Sequence, residues 1–562
     1  PLNKEEVLDH FNKTFDFAKS QMGSAQEIAL RLTPLKDVYY THDTTFDFNP
    51  KGHRETNYVL LGIAFLILFI AGINFTNLTT SLIPLRLKTI NTHRVLGCSI
   101  YKLRAISLIE SIVICLISYI LALFIVNDLS YTPIANWVDA DIRLSQYKGL
   151  ILLTALIAIL TGCLAGLYPA IRSTSYAPAL VLKGSFGLSP KGKKVRVALI
   201  GFQYTVSIAL IIVTLFMGLQ NHFMTSSEQL GFNKDQVAIV NLTPEIYAKH
   251  KPQYIQKLKD YPGIEDVAFS VYELSKEDDM IDLEYARHED KDVFFKVFYA
   301  SENFLSVMDI QVEEGRDFTR EDLNKAQSDY IINPAAERDF HLHPGDRFND
   351  RTVLGVSKDF RFNSCRIASS PFVFALNNDI PNPKLVSYIR FNSKTNLQEA
   401  VAHVRETLKE IDPTFPFEIS FYNTILNNLY QKEQTLGKLI SLFGIMAILI
   451  SIVGVFGLVL FETQYRRKEI GIRKINGATT GQILLMFNKT YIRIVSVCFI
   501  ISIPIAWMGT QQWLENFAYK TPLHLWVFIV AFLIILSVTI GTVTFRNWQA
   551  ANENPVNSVK SE

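Results

Sequence analysis

Long runs of apolar residues alternate with short basic segments along most of this chain. A bilayer core about 30 Å thick is crossed by about 20 helical residues, and seven runs reach that length. A buried helix of a soluble enzyme would carry charges along one face, and these runs carry almost none. The pattern predicts seven transmembrane helices, near Tyr58–Thr80, Ile106–Val126, Gly149–Ala170, Ala198–Leu219, Lys438–Phe461, Tyr491–Thr510 and Leu525–Thr544.

The long stretch 220–437 has a different pattern, which is typical of a folded α+β domain. The spacing of apolar residues between Asn396 and Asp412 places them on one helical face, and Asp412-Pro413 ends that helix. Further on, Ile425, Leu429, Leu436 and Leu439 predict one continuous helix that runs into the span at 438–461. Strand-like runs of β-branched and aromatic residues lie at Gln236–Leu242, Val267–Tyr272, Phe294–Ala300, Arg351–Ser357 and Leu385–Phe391.

The distribution of charge gives the chain an orientation. Of the 562 residues, 49% are hydrophobic and only 19% charged, which agrees with a membrane protein. The near balance of 55 basic and 53 acidic residues excludes a strongly basic nucleic-acid binder. Segments 81–105, 171–197, 462–489 and 546–562 together hold 19 basic and four acidic residues. Because short cytoplasmic loops retain lysine and arginine, these segments are predicted to be cytoplasmic.

The predicted fold class is therefore a multi-span α-helical membrane protein with about seven transmembrane helices and a large α+β extracytoplasmic domain. The basic segments also repeat. RLKTINTHRVLGCS at 86–99 aligns with RRKEIGIRKINGAT at 466–479, and YAPALVLK at 176–183 aligns with ENPVNSVK at 553–560. Each pair stands at the same place relative to a set of three spans, with offsets of 380 and 377 residues. This order indicates an internal duplication.

Several short motifs follow one another in an order that resembles one known family. They are AGLYPAIRSTSYAPALVLK at 165–183, LGFNKDQVAIV at 230–240, EEGRDF at 313–318, GVSKDFRF at 355–362 and YRRKEIGIRKINGAT at 465–479. The first resembles the exit from a third span, the next three resemble an extracytoplasmic core domain, and the last resembles a cytoplasmic loop. The family is that of the MacB/FtsX-like ABC transporter permeases, in a form with two halves.

This resemblance implies that the chain is the permease subunit of an ABC transporter in the bacterial cytoplasmic (inner) membrane. Such a subunit couples ATP hydrolysis by a separate ATPase to movement of extracytoplasmic domains (mechanotransmission), with export or release of a substrate on the outer side. The implied partners are a cytoplasmic ABC ATPase, membrane lipid and a periplasmic adaptor or outer-membrane component, and no nucleic acid. We expect no catalysis and no cofactor in this chain, since the partner binds ATP.

Two other functions stay open. Some permeases of this type regulate an external cell-wall hydrolase and transport nothing. An ion-coupled secondary transporter is less favoured, because such carriers keep ionisable groups near mid-membrane. In this chain Glu110 lies about one turn inside its span, and Asn74 and Asn77 are predicted to face other helices.

The prediction divides the chain into five parts. Residues 1–57 are assigned to the end of a first extracytoplasmic domain, 58–197 to a three-span permease unit with a cytoplasmic tail, and 198–219 to a transmembrane helix. Residues 220–437 form the MacB-like core domain, and 438–562 the second three-span unit. Because the chain begins with Pro1 and has no span before residue 58, we expect that a leading span and most of a first external domain precede it.

The resemblance assigns coupling to the ATPase to one loop, made of Arg466, Arg467, Lys468, Glu469, Ile470, Gly471, Ile472, Arg473, Lys474 and Gly477. In helical register Ile470, Arg473, Lys474 and Gly477 lie near one another. Gly477 permits either close approach or a helix end. From the residues alone, contact between these charges and anionic lipid headgroups is an equal alternative.

The corresponding first-half loop is predicted to couple more weakly. Its candidates are Lys88, His93, Arg94 and Gly97. It has Thr89-Ile90-Asn91 where the second half has Glu469-Ile470-Gly471, which departs from the family pattern.

Two further motifs resemble binding sites, but we predict that both have only a structural role. GLSPKGKK at 187–194 resembles a phosphate-binding loop, but Lys194 stands where that loop needs a hydroxyl, and no strand precedes it. His341 and His343, with Asp339 and Asp346 nearby, are assigned to a surface turn and to no metal site, because no other ligand cluster accompanies them.

Overall fold

Each of the seven apolar runs lies within one long helix of the computed structural model, as the pattern predicts. The structure describes residues 4–14, 32–40, 54–132, 135, 143–175, 190–226, 230–275, 282–289, 291–325, 327–376 and 385–552. In chain order its helices are α1 (Lys4–Thr14), α2 (Leu35–Val38), α3 (Arg54–Ser81), α4 (Ile83–Val95), α5 (Ile100–Leu129), α6 (Lys148–Thr174), α7 (Pro190–Thr225), α8 (Lys251–Lys259), α9 (Phe304–Met308), α10 (Pro334–Phe340), α11 (Leu397–Ile411), α12 (Tyr422–Leu429), α13 (Gln431–Tyr465), α14 (Arg467–Ile475), α15 (Thr480–Leu514) and α16 (Leu525–Asn552). The candidate spans belong to α3, α5, α6, α7, α13, α15 and α16.

Residues 1–66 and residues 67–562 form separate units. Within the first unit, the Arg54 side chain at the start of α3 pairs with Asp37 of α2. The Arg54 guanidinium also lies 4.9 Å from the centre of the Tyr40 ring. All other contacts described below belong to the second unit. The repeated exit segments 176–183 and 553–560 lie outside the described residues.

The stretch between α7 and α13 folds around a mixed sheet, in agreement with the predicted α+β class. Its order is β11-β1-β10-β2-β4-β9-β6-β8-β5, with β3 paired to β4 and β7 paired to β8. The strands are β1 (Val237–Leu242), β2 (Ile264–Ser270), β3 (Asp282–His288), β4 (Lys291–Ala300), β5 (Val312–Gly315), β6 (Tyr330–Ile332), β7 (Arg347–Phe348), β8 (Arg351–Ser357), β9 (Phe372–Leu376), β10 (Leu385–Phe391) and β11 (Ile419–Phe421). The five predicted strands correspond to β1, β2, β4, β8 and β10.

Both faces of the central strands are buried, which follows from the period of two along a strand. In β1, Ala238 and Val240 belong to one buried cluster, together with residues of α8 and α11. Val237 and Ile239 of the same strand belong to a second cluster on the opposite face. The predicted helix between Asn396 and Asp412 is confirmed as α11. Its apolar face, which includes Val404, covers the sheet.

The second cluster continues into the membrane helices. It includes Met224 at the end of α7 and Phe517 between α15 and α16. Gln220 of α7 donates to the Tyr519 carbonyl at 3.0 Å and accepts from the Thr521 N–H at 2.8 Å. The Tyr519 N–H in turn donates to the Cys365 carbonyl of the sheet domain at 3.1 Å. Packing and hydrogen bonds therefore join the sheet domain to the outer ends of these helices.

The predicted continuous helix into the fifth span is wrong at one residue. α12 ends at Leu429 and α13 begins at Gln431, because Tyr430, with φ −105° and ψ 13°, leaves the helical conformation. The Tyr430 side chain is fully buried, and its hydroxyl accepts from the Cys365 N–H at 3.2 Å. α13 itself is unbroken over 35 residues. In its first turn, Glu433 pairs with Arg366 of the sheet domain at 2.7 Å.

A buried carboxylate supports the loop after β5. Asp322 is 2% exposed and accepts from the two terminal nitrogens of Arg316 at 2.7 and 2.8 Å. It also accepts from the Thr319 N–H at 2.9 Å. These donors, the Arg316 guanidinium first, hold the pKa of the Asp322 carboxyl well below its usual range. The charged form is therefore the one that stabilises the fold.

Replacing this carboxylate tests its contribution. We expect Asp322→Asn to lower the free energy of unfolding by about 2 kcal/mol at pH 7, because the buried position loses its charge-assisted hydrogen bonds from the half-exposed Arg316. Since the folded pKa lies below the unfolded one, the advantage of the native residue is full at neutral pH and shrinks as the pH falls below about 4. Chemical unfolding of the full chain in detergent measures both effects. Glu410→Gln, at an exposed ion pair with Lys257, is the control and is expected to change little. Equal effects of the two substitutions would contradict the assignment.

Candidate functional site

Two short helices stand at equivalent places in the repeat. α4 follows α3 and α14 follows α13, in each case with one residue between the two helices. Both lie in the basic segments that the charge distribution predicts to be cytoplasmic, and α14 is the centre of the predicted coupling loop. Each is followed within a few residues by another long helix, α5 or α15.

The two short helices end in the same way. Gly97 and Gly477, which are 380 positions apart, have φ of 92° and 88°. The Cys98 N–H donates to the His93 carbonyl at 2.9 Å, and the Ala478 N–H donates to the Arg473 carbonyl at 2.9 Å. Each glycine N–H also donates to the carbonyl three residues earlier. This is a Schellman motif, in which glycine takes the left-handed position after the helix.

Gly97 and Gly477 are needed for their positive φ angles and not because the surrounding space excludes a side chain. A Cβ added at Gly97 or Gly477 would have no atom of the described chain within 4 Å. Of the two roles that the sequence leaves open for Gly477, the structure therefore favours the helix end. The N-cap of the next helix stands two residues later, where Ser99 accepts from the Lys102 N–H at 3.4 Å and Thr479 accepts from the Gln482 N–H at 3.3 Å.

The predicted coupling residues range from buried to exposed, with Arg466, Glu469 and Lys474 half-buried. Ile470 is 3% exposed and lies in the buried cluster that α7, α13, α15 and α16 form. Gly471 is also buried. Ile472 and Arg473 are exposed. Ile470 therefore fixes α14 to the membrane helices, and the exposed surface of α14 begins at Ile472.

Sequence reasoning missed part of this surface. Ile475 of α14 is 65% exposed, and Val95 and Leu96 at the end of α4 are 67% and 78% exposed. The sequence does contain a signal, because each of these apolar residues stands beside charged or polar ones at the end of a basic helix. Residues 91–99 and 471–479 also show the same succession of buried, half-buried and exposed positions. The two halves therefore present surfaces of the same form.

The charged residues of the two loops mostly have partners within the chain. Arg473 pairs with Glu469 at 2.8 Å, and Arg466 pairs with Glu462 at 2.9 Å. In the first half, Arg94 donates to the Thr174 carbonyl at 3.3 Å, which ties α4 to the end of α6. The helices of Lys88, Arg467 and Lys468 are described but their side chains are not.

The structure shows where the two motifs lie that the sequence analysis assigned to no binding site. Residues 190–194 of the phosphate-loop-like motif form the start of α7, and residues 187–189 lie outside the described part. His341, His343 and Asp346 lie between α10 and β7, where the Asp346 carboxylate accepts from the His343 N–H at 2.8 Å. The His343 ring is 3.6 Å from the Glu337 carboxylate, and Glu314 lies within 4.8 Å of both. These groups are half-buried or exposed, as in a surface ion pair.

Comparison with known proteins gives one family model, that of the FtsX-like permease C-terminal domain, which matches residues 61–178 and 441–555. Among curated proteins, the macrolide export ATP-binding/permease protein MacB of Aggregatibacter actinomycetemcomitans is 25% identical over 212 residues, which is 35% of this chain and 32% of that protein. The protein of the same name from Neisseria gonorrhoeae is 25% identical over 223 residues, or 37% of this chain and 34% of its own length. The matches thus span about a third of these two relatives.

Solved structures similar to this chain include two external domains. The periplasmic region of MacB from Actinobacillus actinomycetemcomitans has 14% identity and a TM-score of 0.27, and covers 35% of this chain and 94% of that one. The extracellular domain of the noncanonic ABC-type transporter YknZ from Gram-positive bacteria has 15% identity and a TM-score of 0.25, and covers 33% and 99%.

The role of the two glycines can be tested directly. We expect Gly477→Ala to destabilise the end of α14 by about 1 kcal/mol, because alanine resists a positive φ, and Gly477→Asn to cost less. Hydrogen exchange of the amides in the last turn of α14 is then expected to become about fivefold faster in the alanine variant. Gly481→Ala, in the first turn of α15, is the control. If Gly477→Ala exchanges no faster than this control, the helix-end assignment is wrong.

Proposed function

The chain belongs to the FtsX-like permease family, and from this premise we propose that it is the membrane subunit of an ABC transporter in the bacterial cytoplasmic membrane. A separate ATPase in the cytoplasm binds the exposed ends of α4 and α14. When ATP draws its subunits together, the long helices move and carry the extracytoplasmic sheet domain with them. This movement drives export or release of a substrate on the outer side. ATP is bound by the partner, and this chain performs no catalysis.

The observation that carries the proposal is the pair of exposed apolar surfaces on two basic helices. Protein interfaces have an apolar centre and a polar rim. Ile472 and Ile475 stand beside Arg473 in this way, and Val95 and Leu96 stand beside His93. Binding to anionic lipid headgroups would need only the charges. One exposed apolar position is repeated in both halves, since Val95 and Ile475 are 380 positions apart. This repetition favours a protein partner with two equivalent binding sites.

The attachment of α14 supports a mechanical role. Because Ile470 is buried among the membrane helices, a force on α14 acts on the bundle and does not merely bend a loop. From Tyr465 to Gln431, α13 is one helix about 52 Å long. Its outer end is bound to the sheet domain through Glu433 and Arg366. The proposed path therefore contains one uninterrupted helix between the two ends.

The geometry also supports a role for the first half, which the sequence predicts to be weaker. α4 ends in the same Schellman motif, and its exposed residues occupy the same positions as those of α14. The departure at Thr89-Ile90-Asn91 lies on the earlier turns, and Asn91 is buried. We therefore include Val95 and Leu96 in the proposed interface.

Substitution of the exposed apolar residues tests the interface. We expect Ile475→Asp and Val95→Asp each to weaken binding of the neighbouring ATPase roughly tenfold or more and to abolish the stimulated ATP turnover. Both side chains are exposed, so the fold is expected to be retained. Pull-down of the ATPase and ATP turnover in proteoliposomes measure the two effects. Ile367→Asp, at an equally exposed isoleucine of the sheet domain (61%), is the matched control. If both variants behave like this control, the proposed interface is wrong.

A further inference from the structure

Side chains of α3 contact α13 and so join the two halves of the repeat within the membrane helices. The Asn74 side-chain amide of α3 donates to the Ile450 carbonyl of α13 at 2.7 Å. A Cβ added at Gly454 would lie only 2.4 Å from the Asn74 side-chain oxygen, and one at Gly457 only 2.0 Å from Leu78. Side chains of α3 therefore fill the places that two glycines leave open on α13. Small residues permit this close approach of helices within a membrane.

The contact has the register of the sequence repeat. Asn74 and Gly454 are 380 positions apart, which is the offset between the two basic loops. Leu78 and Gly457, one turn further on, are 379 apart. When two related bodies are packed about a two-fold axis, residues contact their own equivalents only close to that axis. From this coincidence we infer that the crossing of α3 and α13 at Asn74 and Gly454 is the pseudo-two-fold joint between the halves, and the pivot about which α4 and α14 move relative to each other.

The hydrogen bonding at this joint is incomplete. The Asn74 oxygen and the Gln203 side-chain nitrogen of α7 have no hydrogen-bond partner among the described residues. Both residues are at least nine-tenths buried, and both atoms face Gly454, at 2.4 and 3.2 Å from its added Cβ. Buried amide groups without partners are costly and uncommon. The Asn74 oxygen is an acceptor and the Gln203 nitrogen is a donor, and both face the same glycine without a partner among the described residues. This indicates that the joint has a second arrangement, in which the two side-chain amides bond to each other.

The joint is well placed to act on the coupling helices. α4 begins at Ile83, about two and a half turns beyond Asn74, and α14 begins at Arg467, about three and a half turns beyond Gly454. When an ATPase draws α4 and α14 together, α3 and α13 must tilt about the point at which they are in closest contact. This pivot role rests on the proposed function, whereas the joint itself does not.

A rescue experiment on the full chain in detergent tests the joint. We expect Gly454→Ala to lower the thermal midpoint by roughly 5 °C, because the added methyl group collides with Asn74. Gly509→Ala is the control, since Gly509 is also within a membrane helix but has no atom within 4 Å of an added Cβ. Asn74→Ala combined with Gly454→Ala is expected to recover most of the loss. A Gly454→Ala variant as stable as Gly509→Ala, or a double variant without recovery, would overturn the joint.

Reversible crosslinks test the pivot. With the five native cysteines replaced by alanine, an oxidised Asn74→Cys/Gly454→Cys pair is expected to reduce ATP turnover with the ATPase to the unstimulated rate, and reductant is expected to restore it. Ser207→Cys/Ser451→Cys is the matched control, because these hydroxyls are 3.0 Å apart within the second half. That crosslink is expected to leave turnover unchanged. Inhibition by both crosslinks, or by neither, would overturn the pivot.

The two experiments separate the possible failures. If the chain stimulates no ATPase, the proposed function and the pivot both fail, while the rescue experiment still decides the joint. If the ATPase is stimulated normally and the rescue fails, the proposed function stands and the joint does not.

Discussion

Close contact between membrane helices through small and polar residues is the interaction on which the rest of this structure depends. Lipid offers no hydrophobic drive for helices to associate, so packing and hydrogen bonds must hold them together. α7 and α13, which lead into and out of the sheet domain, are held in this way. Ser207 and Ser451 share a hydrogen bond at 3.0 Å, and the Thr214 hydroxyl lies 3.4 Å from the Cβ position of Gly444. Seven residues further along each helix, Asn221 faces Gly437 at 3.0 Å.

The line of contacts between α7 and α13, which we call the seam, has a mechanical consequence. Because the two helices pack at intervals of seven residues, they form one stiff pair whose outer ends hold the sheet domain. Gln220 bonds to the loop between α15 and α16, and Glu433 bonds to Arg366. At the other end, buried Ile470 holds α14 to the same bundle. The glycines and hydroxyls of the seam therefore fix the register of the two helices that connect parts of the protein on opposite sides of the predicted membrane.

Much of the secondary structure could be predicted from the sequence, and the failures have identifiable causes. α11 was predictable because its apolar residues repeat on one helical face and Asp412-Pro413 ends it. β6 and β7 were not, because strands of three and two residues are too short to show a period. β9, Phe372–Leu376, is buried at every position and so lacks the alternation that marks a strand. At the break, the Tyr430 hydroxyl accepts from Cys365, a residue far away in the chain, and no local pattern reports such a contact.

The sequence by itself predicted the seven spans, the side on which each loop lies and the repeat, because hydropathy, loop charge and spacing are properties of consecutive residues. It also placed the candidate site on the loop 466–477. Only the tertiary structure decided which residues of that loop face outward, since the burial of Ile470 and the exposure of Ile475 depend on where α7, α15 and α16 pack. Likewise, Asn74 meets α13 at a residue 376 positions away. Such a contact depends on how helices cross in three dimensions, and the order of residues along the chain does not specify that crossing.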